Sequence, residues 1–268
     1  MRRLEPQPSW PQAWQLAYRY DLEEIYGEPQ DLGYAYSYAA RRAKAIALVS
    51  EVVAPGARVL DIAAAGGNFS LTLAEMGYRV TWNDLRADLA DYVRLKHDRG
   101  HLEFAPGNAF ELDFPQPFDA ALITEVIEHV AHPDRFLAEV ARLVKPGGYL
   151  IMTTPNGGYF RNSLPRFSDC PDPSVYEEVQ FGPDGDDHIF LLHCDEVRAL
   201  TAKAGLELDT LELFTNPLTR GHVKLGALLK LLPPATVDRV ERWSRHLPEP
   251  LARRLLVSIA ARLRRPLR

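Results

Sequence analysis

The stretch Val59-Leu-Asp-Ile-Ala-Ala-Ala-Gly-Gly-Asn-Phe-Ser70 decides the fold. Its first part, Val59–Ile62, is an apolar run of the kind found in buried strands, and it leads into a loop of small residues, Ala63–Gly67. Such a loop lets the backbone approach a ligand at the N-terminus of a helix, at the carboxyl end of a parallel strand. The stretch therefore predicts a ligand-binding α/β fold with one wall of its site at Ala63–Gly67.

Short apolar runs alternate with helical patterns along the rest of the chain. The predicted strands are Arg58–Ala63, Arg79–Asp84, Leu102–Pro106, Phe118–Thr124, Tyr149–Thr154, Leu206–Phe214 and Leu255–Arg262. The helices predicted in the slots between them are Ser70–Met76, Arg86–Arg99 and Asp134–Val144. This alternation is typical of parallel strands joined by crossover helices. The last run, Leu255–Arg262, also fits an amphipathic helix, and periodicity alone leaves both interpretations open.

The chain is expected to form one α/β domain with additions. Residues 1–56 have a helical pattern rich in Trp and Tyr and are expected to form an N-terminal helical lid of the same domain, while residues 57–268 form its body. Two inserts, 156–187 and 216–250, interrupt the pattern, and loops at strand ends commonly carry substrate contacts. The second insert is predicted to hold two short helices, and its segment Val223–Leu232 to cap the acceptor. Tyr34 and Tyr38 either line that pocket or pack in the core.

Composition excludes several classes of protein. Hydrophobic residues make up 46% of the chain and charged residues 25%, as in ordinary globular domains. The net charge of −5 disfavours a nucleic-acid partner, whose binding needs a basic face. With two cysteines and no apolar run of about 18 residues, we expect a cytoplasmic protein without a membrane span, either a monomer or a homodimer. The arginine-rich C-terminus leaves peripheral membrane contact as a less favoured alternative.

A carboxylate at the end of the second predicted strand points to the ligand. Asp84 stands where a carboxylate can accept hydrogen bonds from both hydroxyls of a ribose, which implies an adenosine-bearing cofactor. The alternative is a solvated turn residue. The chain lacks the Gly-x-Gly-x-x-Gly loop that a dinucleotide pyrophosphate needs, and this counts against a nicotinamide oxidoreductase.

Ordered motifs along the chain resemble class I methyltransferases of the ubiquinone-biosynthesis type. They are Val59–Gly67, Asp84, Gly107–Ala109, Phe118-Asp119, Glu125–Val130 and Leu143–Asn156. The resemblance implies a doubly wound, Rossmann-like sheet of seven mostly parallel strands with an antiparallel last strand, flanked by N-terminal helices and a helical cap insert. It therefore favours a strand for Leu255–Arg262. It also implies S-adenosyl-L-methionine as the cofactor.

Carried over position by position, the resemblance implies a cofactor site. Asp61 would lie near the amino group of the methionine moiety, and Ala63, Ala65 and Gly67 would lie beneath the cofactor. Asp84 would bind the ribose and Leu85 would pack on the adenine. The adenine amino group would be contacted by Asn108, with Ala109 and Phe110 beside it, and Thr124 would line the reacting end. The chain departs from the family pattern at Ala63 and Ala65, where glycine is usual, and at Asn108, where aspartate is usual. Asn108 is otherwise a turn former. Arg41 or Arg42 either meets the cofactor carboxylate or lies on a solvated face, and the solvated face is favoured.

Glu125, Glu128 and His129 form a second group, after the fourth predicted strand. On one helical turn they would share a face and point into the cleft. Two carboxylates and an imidazole suit a divalent metal such as magnesium or manganese. Some relatives use such a set with a downstream histidine, here His188. The alternatives are that His129 or His188 acts as a base, with Glu125 beside the reacting atoms, or that His129 is structural.

The sequence thus predicts methyl transfer to an unidentified small-molecule acceptor, with oxygen favoured over nitrogen or carbon. The other interpretations are a scaffold of the same fold that no longer binds cofactor and a nicotinamide oxidoreductase.

Overall fold

A single mixed sheet organises the chain. The computed structural model describes residues 1–180, 188–220 and 226–267. Within these ranges the strands are β1 Arg58–Ile62, β2 Arg79–Trp82, β3 His101–Phe104, β4 Phe118–Thr124, β5 Val144–Pro155, β6 Glu207–Phe214 and β7 Ser258–Arg264. Their order in the sheet is β3-β2-β1-β4-β5-β7-β6. The first five strands are parallel, and β7 runs antiparallel to both of its neighbours, which confirms the predicted topology.

Helices cover both faces of this sheet. They are α1 Gln12–Glu24, α2 Leu32–Ser50, α3 Asn68–Glu75, α4 Leu89–Lys96, α5 Pro133–Leu143, α6 Cys194–Lys203, α7 Pro217–Arg220, α8 Gly226–Leu231, α9 Pro234–Ser244 and α10 Glu249–Leu255. Across the described ranges, none of them is long and apolar enough to cross a membrane.

The central strands are buried on both sides, which explains their unbroken apolar runs. Along β4, Ala121 and Ile123 pack in a core cluster on the α5 and α6 side, while Ala120 and Leu122 pack in the cluster that includes residues of α2 and α3. Successive strand residues point to opposite faces, so both faces must be covered by apolar side chains. The carboxyl ends of β1, β2, β4 and β5 then meet at one edge, where ligands bind in sheets of this kind.

The N-terminal residues share this core. Tyr38, Leu48 and Val49 of α2 are buried in the same cluster as Val59 of β1. The division at residue 56 between lid and body stays a prediction.

The second insert differs from its prediction. Three described helices, α7 to α9, lie in the region for which two were predicted, and α10 begins at its end. Prolines start several of them: Pro217 begins α7, and Pro234 and Pro250 lie in the first turns of α9 and α10. The predicted strand Leu255–Arg262 is shifted, since Leu255 ends α10 and β7 begins at Ser258. Residues 223–225 of the predicted cap lie outside the described residues.

Candidate active site

The loop that follows β1 has an unusual backbone. Ala63, Ala65 and Gly67 all have positive φ angles, of 54°, 45° and 73°. At Gly67 a side chain is excluded, because an added Cβ would lie 2.7 Å from Val93 Cγ1. The left-handed conformation costs a residue with a Cβ about 1–2 kcal/mol. The two alanines that replace the family's glycines therefore keep the glycine conformation under strain.

Hydrogen bonds from β2 hold this strained loop. The Ala65 N–H donates to Asp84 Oδ2 at 2.8 Å, and the Trp82 indole N–H donates to the Ala65 carbonyl at 3.0 Å. The Ala64 N–H donates to the Asn83 carbonyl at 2.8 Å. The loop is thereby fixed against the end of β2, and Asp84 lies directly beside it.

We expect Ala65→Gly to leave the free energy of unfolding unchanged or to raise it by up to about 1 kcal/mol, because glycine adopts φ of 45° without strain. Ala64→Gly is the matched control, since the φ angle of Ala64 is not positive; it should lower stability by about 0.5–1 kcal/mol. Urea unfolding of both variants measures the difference. A larger loss of unfolding free energy in Ala65→Gly than in Ala64→Gly would contradict the inference that Ala65 is strained.

Asp84 is buried and accepts four hydrogen bonds. Besides the Ala65 N–H, its donors are the Arg86 backbone N–H at 2.9 Å and the Arg86 guanidinium, through Nε at 2.9 Å and Nη2 at 3.1 Å. The Arg86 side chain is 54% exposed. The hydroxyls of a ribose can replace this exposed guanidinium as donors to Asp84, while the backbone N–H groups of Ala65 and Arg86 remain bound. Leu85 is also 54% exposed beside it, an apolar surface on which a base can pack.

The end of β3 is tied to the end of β2. The Asn83 amide donates to the carbonyls of Ala105 at 2.6 Å and Gly107 at 2.9 Å, which brings Asn108 to the same edge. The Asn108 Oδ1 accepts the Phe110 N–H at 3.1 Å, a turn-forming contact. Ala109 is buried next to it. Contact of Asn108, Ala109 and Phe110 with an adenine stays a prediction.

Asp61 is buried at the end of β1. Its Oδ2 accepts the Ser70 hydroxyl at 2.6 Å, while Oδ1 has no partner within the described part of the chain. Burial raises the pKa of Asp61 to about 7, and the nearby Asp84 adds to this while Ser70 opposes it. A buried carboxylate oxygen without a donor fits the ammonium group of an amino-acid ligand.

A cleft of about 500 Å³ opens beside Glu125 and His188, after β4 and β5. Glu125 has a φ of 54°, and its Oε2 lies 3.1 Å from Nη1 of Arg41. The Arg41 side chain is only 13% exposed, so the favoured prediction, that Arg41 lies on a solvated face, is wrong. The remaining lining is mixed: its polar residues include Ser37, Asn156, Tyr159, Arg161, Asn162, Ser163 and Arg220, and its apolar residues are Pro155, Leu164, Leu191 and Val257.

Glu128, His129 and His188 meet at the same edge. One donor atom of each lies within 4.8 Å of the others, and the imidazole centroids are 4.8 Å apart. His188 is brought there because the Ile189 N–H donates to the Glu128 carbonyl at 2.7 Å. The Glu128 Oε2 accepts the Thr154 hydroxyl at 3.0 Å, and Oε1 has no partner among the described residues. Burial, with Glu125 nearby, holds the pKa of Glu128 well above its usual value.

One predicted feature of this group is wrong. Glu125 does not share a helical face with Glu128 and His129, because it is in the left-handed conformation and only the 3₁₀ turn Ile127–His129 follows. Glu125 faces Arg41 instead and is not part of the close donor group.

Sequence reasoning missed a buried polar cluster behind the loop, formed by Asp21, Asn68 and Lys96. Lys96 shares the helical stripe of the buried residues Leu89 and Val93. A lysine at an apolar position was the signal that could have identified it.

The chain is similar to known methyltransferases. Residues 60–152 match the family model of a methyltransferase domain. The ubiquinone biosynthesis O-methyltransferase of Xanthomonas campestris pv. campestris is 35% identical over 113 residues, 41% of this chain and 47% of the relative. The chain thus spans about half the length of this curated relative.

Two solved structures match almost the whole chain. The (4+2)-cyclase SpnF has a TM-score of 0.59 at 20% identity and covers 97% of this chain and 98% of its own. The N-methyltransferase NodS of Bradyrhizobium japonicum WM9, in complex with S-adenosyl-L-homocysteine, has a TM-score of 0.54 at 12% identity and covers 96% and 100%. These likenesses show the fold. The match to the family model identifies residues 60–152 as a methyltransferase domain, and in this region the chain resembles class I S-adenosylmethionine-dependent methyltransferases.

Proposed function

We propose that the chain transfers the methyl group of S-adenosyl-L-methionine to an oxygen atom of a small-molecule acceptor. The observation that carries this proposal is that the Ala63–Gly67 loop lies against Asp84, through the 2.8 Å bond from the Ala65 N–H. Beside them, Asp61 Oδ1 has no partner among the described residues. Ribose hydroxyls and an amino-acid ammonium are the groups that these two carboxylates suit. Both belong to the proposed cofactor.

In the proposed reaction, the acceptor oxygen attacks the methyl carbon in line with the sulfur. A new C–O bond forms, the C–S bond breaks, and its electron pair stays on the sulfur, which loses its positive charge. Alignment of the two reactants supplies up to roughly 7–11 kcal/mol of barrier reduction. The acceptor proton passes to a base; His188 and Glu125 line the cleft, and His129 lies beside His188, so these three residues are the candidates for this role. A placed base contributes about 10²–10⁴ in rate.

The acceptor class rests on the cleft. Its described lining combines Arg41, Glu125 and amide and hydroxyl side chains with the apolar Leu164, Leu191 and Val257, which favours an acceptor that has both polar groups and an apolar part. An oxygen acceptor is supported by the O-methyltransferase relative.

Calorimetry with S-adenosylhomocysteine tests the proposal, with NADH as the comparator ligand. We expect one molecule of S-adenosylhomocysteine to bind per chain and NADH to bind at least about tenfold more weakly, because the loop lacks the phosphate-binding glycines. Failure to bind S-adenosylhomocysteine would indicate the scaffold interpretation, and preferential binding of NADH would indicate an oxidoreductase.

The affinity for S-adenosylhomocysteine should rise about tenfold between pH 6 and pH 8. The pKa of Asp61 is about 7, so its carboxyl is mostly neutral at pH 6 and must lose its proton to pair with the ligand's ammonium group. Because the pKa is raised on folding, the same carboxyl also makes the ligand-free protein less stable as the pH rises from about 4 through 7. Asp61→Asn should flatten the pH dependence in calorimetry. An unchanged slope in that variant would contradict this role of Asp61.

A divalent cation fits the residues beside the cleft. Glu128, His129 and His188 offer a carboxylate and two imidazoles within 4.8 Å of one another. The buried Oε1 of Glu128, which has no partner in the described part of the chain, suits a cation. When bound, such an ion would lower the pKa of an acceptor hydroxyl. We include a magnesium or manganese ion in the proposed function on this observation.

A further inference from the structure

Lys96, the last residue of α4, is completely buried. Its ammonium donates to the Gly66 carbonyl at 2.9 Å, to Asn68 Oδ1 at 2.6 Å and to Asp21 Oδ1 at 2.8 Å. These acceptors use all three of its N–H donors. They lie in three different segments: the loop after β1, the start of α3, and α1.

The other polar atoms of this cluster are also satisfied. Asp21 accepts the Tyr92 hydroxyl at 2.5 Å and the Asn68 amide at 2.9 Å, and the Asn68 amide donates again to Glu24 Oε2 at 2.8 Å. A buried ion pair adds little net stability compared with apolar residues of similar size, because both charges must be desolvated. Stability alone therefore does not explain a lysine at this position. Its directed hydrogen bonds do explain it, because they fix the relative positions of three segments.

The bonds of Lys96 flank the strained part of the loop. Lys96 bonds to the carbonyl of Gly66, the residue after Ala65, whose φ is 45°. Lys96 also bonds to Asn68, the residue after Gly67, whose φ is 73°. An alanine in the left-handed conformation relaxes unless its surroundings prevent it. Lys96 is positioned to prevent this movement through the Gly66 carbonyl and Asn68, whereas Asp84 holds the Ala65 N–H.

We propose that Lys96, with Asp21 as its counter-ion, is a positioning residue for the cofactor. It keeps Ala63–Gly67 in the form that binds ligand and links this loop to helix α1. The inference rests on the proposed function, because cofactor affinity is the quantity that it explains. It implies that a loop with glycine at position 65 depends less on Lys96, since glycine adopts the required φ without help.

A double-mutant cycle with S-adenosylhomocysteine tests this inference. We expect Lys96→Met to raise the dissociation constant about tenfold or more in the native background, and at most about threefold in the Ala65→Gly background. Lys96→Met leaves the Asp21 charge buried without its partner, which strongly destabilises a fold. Asp21→Asn/Lys96→Met, which buries no charge, is therefore measured in both backgrounds as well.

A control separates positioning from general loss of stability. Asp119→Ala removes the carboxylate that accepts the Arg58 N–H at 2.7 Å at the start of β1, the opposite end of the strand from the loop. It should lower the melting temperature and leave the dissociation constant unchanged. Equal increases in both backgrounds, or an unchanged constant in a folded Lys96 variant, would overturn the inference. Absence of binding by the native protein would overturn the proposed function, and this inference with it.

Discussion

Asp84→Ala is expected to raise the dissociation constant for S-adenosylhomocysteine by at least about 100-fold. Two charge-assisted bonds to the ribose hydroxyls are each worth about 1.5–3 kcal/mol, and every 1.4 kcal/mol is a factor of about ten. The variant also removes the acceptor of the Ala65 N–H and so frees the strained loop. Calorimetry on the folded variant measures the effect.

Arg86→Met is the matched control for this prediction. It removes the guanidinium that donates to Asp84 and keeps the carboxylate. Because the ribose must displace that guanidinium, affinity should stay the same or increase. If Asp84→Ala bound the ligand as tightly as the native protein, or if Arg86→Met lost binding as severely, Asp84 would not be the ribose ligand.

The features that local sequence determines were predicted well. The apolar run of β1, the small-residue loop and the carboxylate of Asp84 follow one another at spacings typical of parallel strands, so parallel strands and the edge that carries the site could be predicted, while the arrangement of the seven strands came from the family resemblance. The antiparallel β7 came from the family resemblance, because its periodicity also fits a helix. Its start was misplaced, since α10 takes the residues before it.

Features that depend on contacts between distant residues could not be derived. Arg41 pairs with Glu125 across 84 positions of the chain, and no local pattern marks either residue for this contact. The bonds of Lys96 to Asp21 and Gly66 also join residues far apart in the chain, by 75 and 30 positions. The left-handed φ of Glu125 could not be derived either. Local propensity favours a helix at this position, but the hydrogen bond from the Glu125 N–H to the Thr153 carbonyl of β5 prevents a helical conformation.

The native protein is expected to bind one manganese ion, and Glu128→Gln to weaken this binding by roughly 100-fold or more. The three donors of Glu128, His129 and His188 already lie within 4.8 Å of one another, so little rearrangement is required. The substituted amide keeps the shape of the side chain and a neutral oxygen but loses the charge. Electron paramagnetic resonance of manganese, supported by calorimetry, reports binding directly and needs no acceptor.

Two control variants test whether manganese binds at Glu128. His132→Ala, which removes an imidazole paired with Glu177 outside the donor group, should leave manganese affinity unchanged. Glu125→Gln should weaken binding less than Glu128→Gln, because Glu125 faces Arg41 and is not among the close donors. Affinity for S-adenosylhomocysteine should change little in Glu128→Gln, since the ribose and ammonium contacts lie at β1 and β2. No manganese binding by the native protein at millimolar concentration, or equal binding by Glu128→Gln, would exclude the ion, and His129 or His188 would then act as a base without metal.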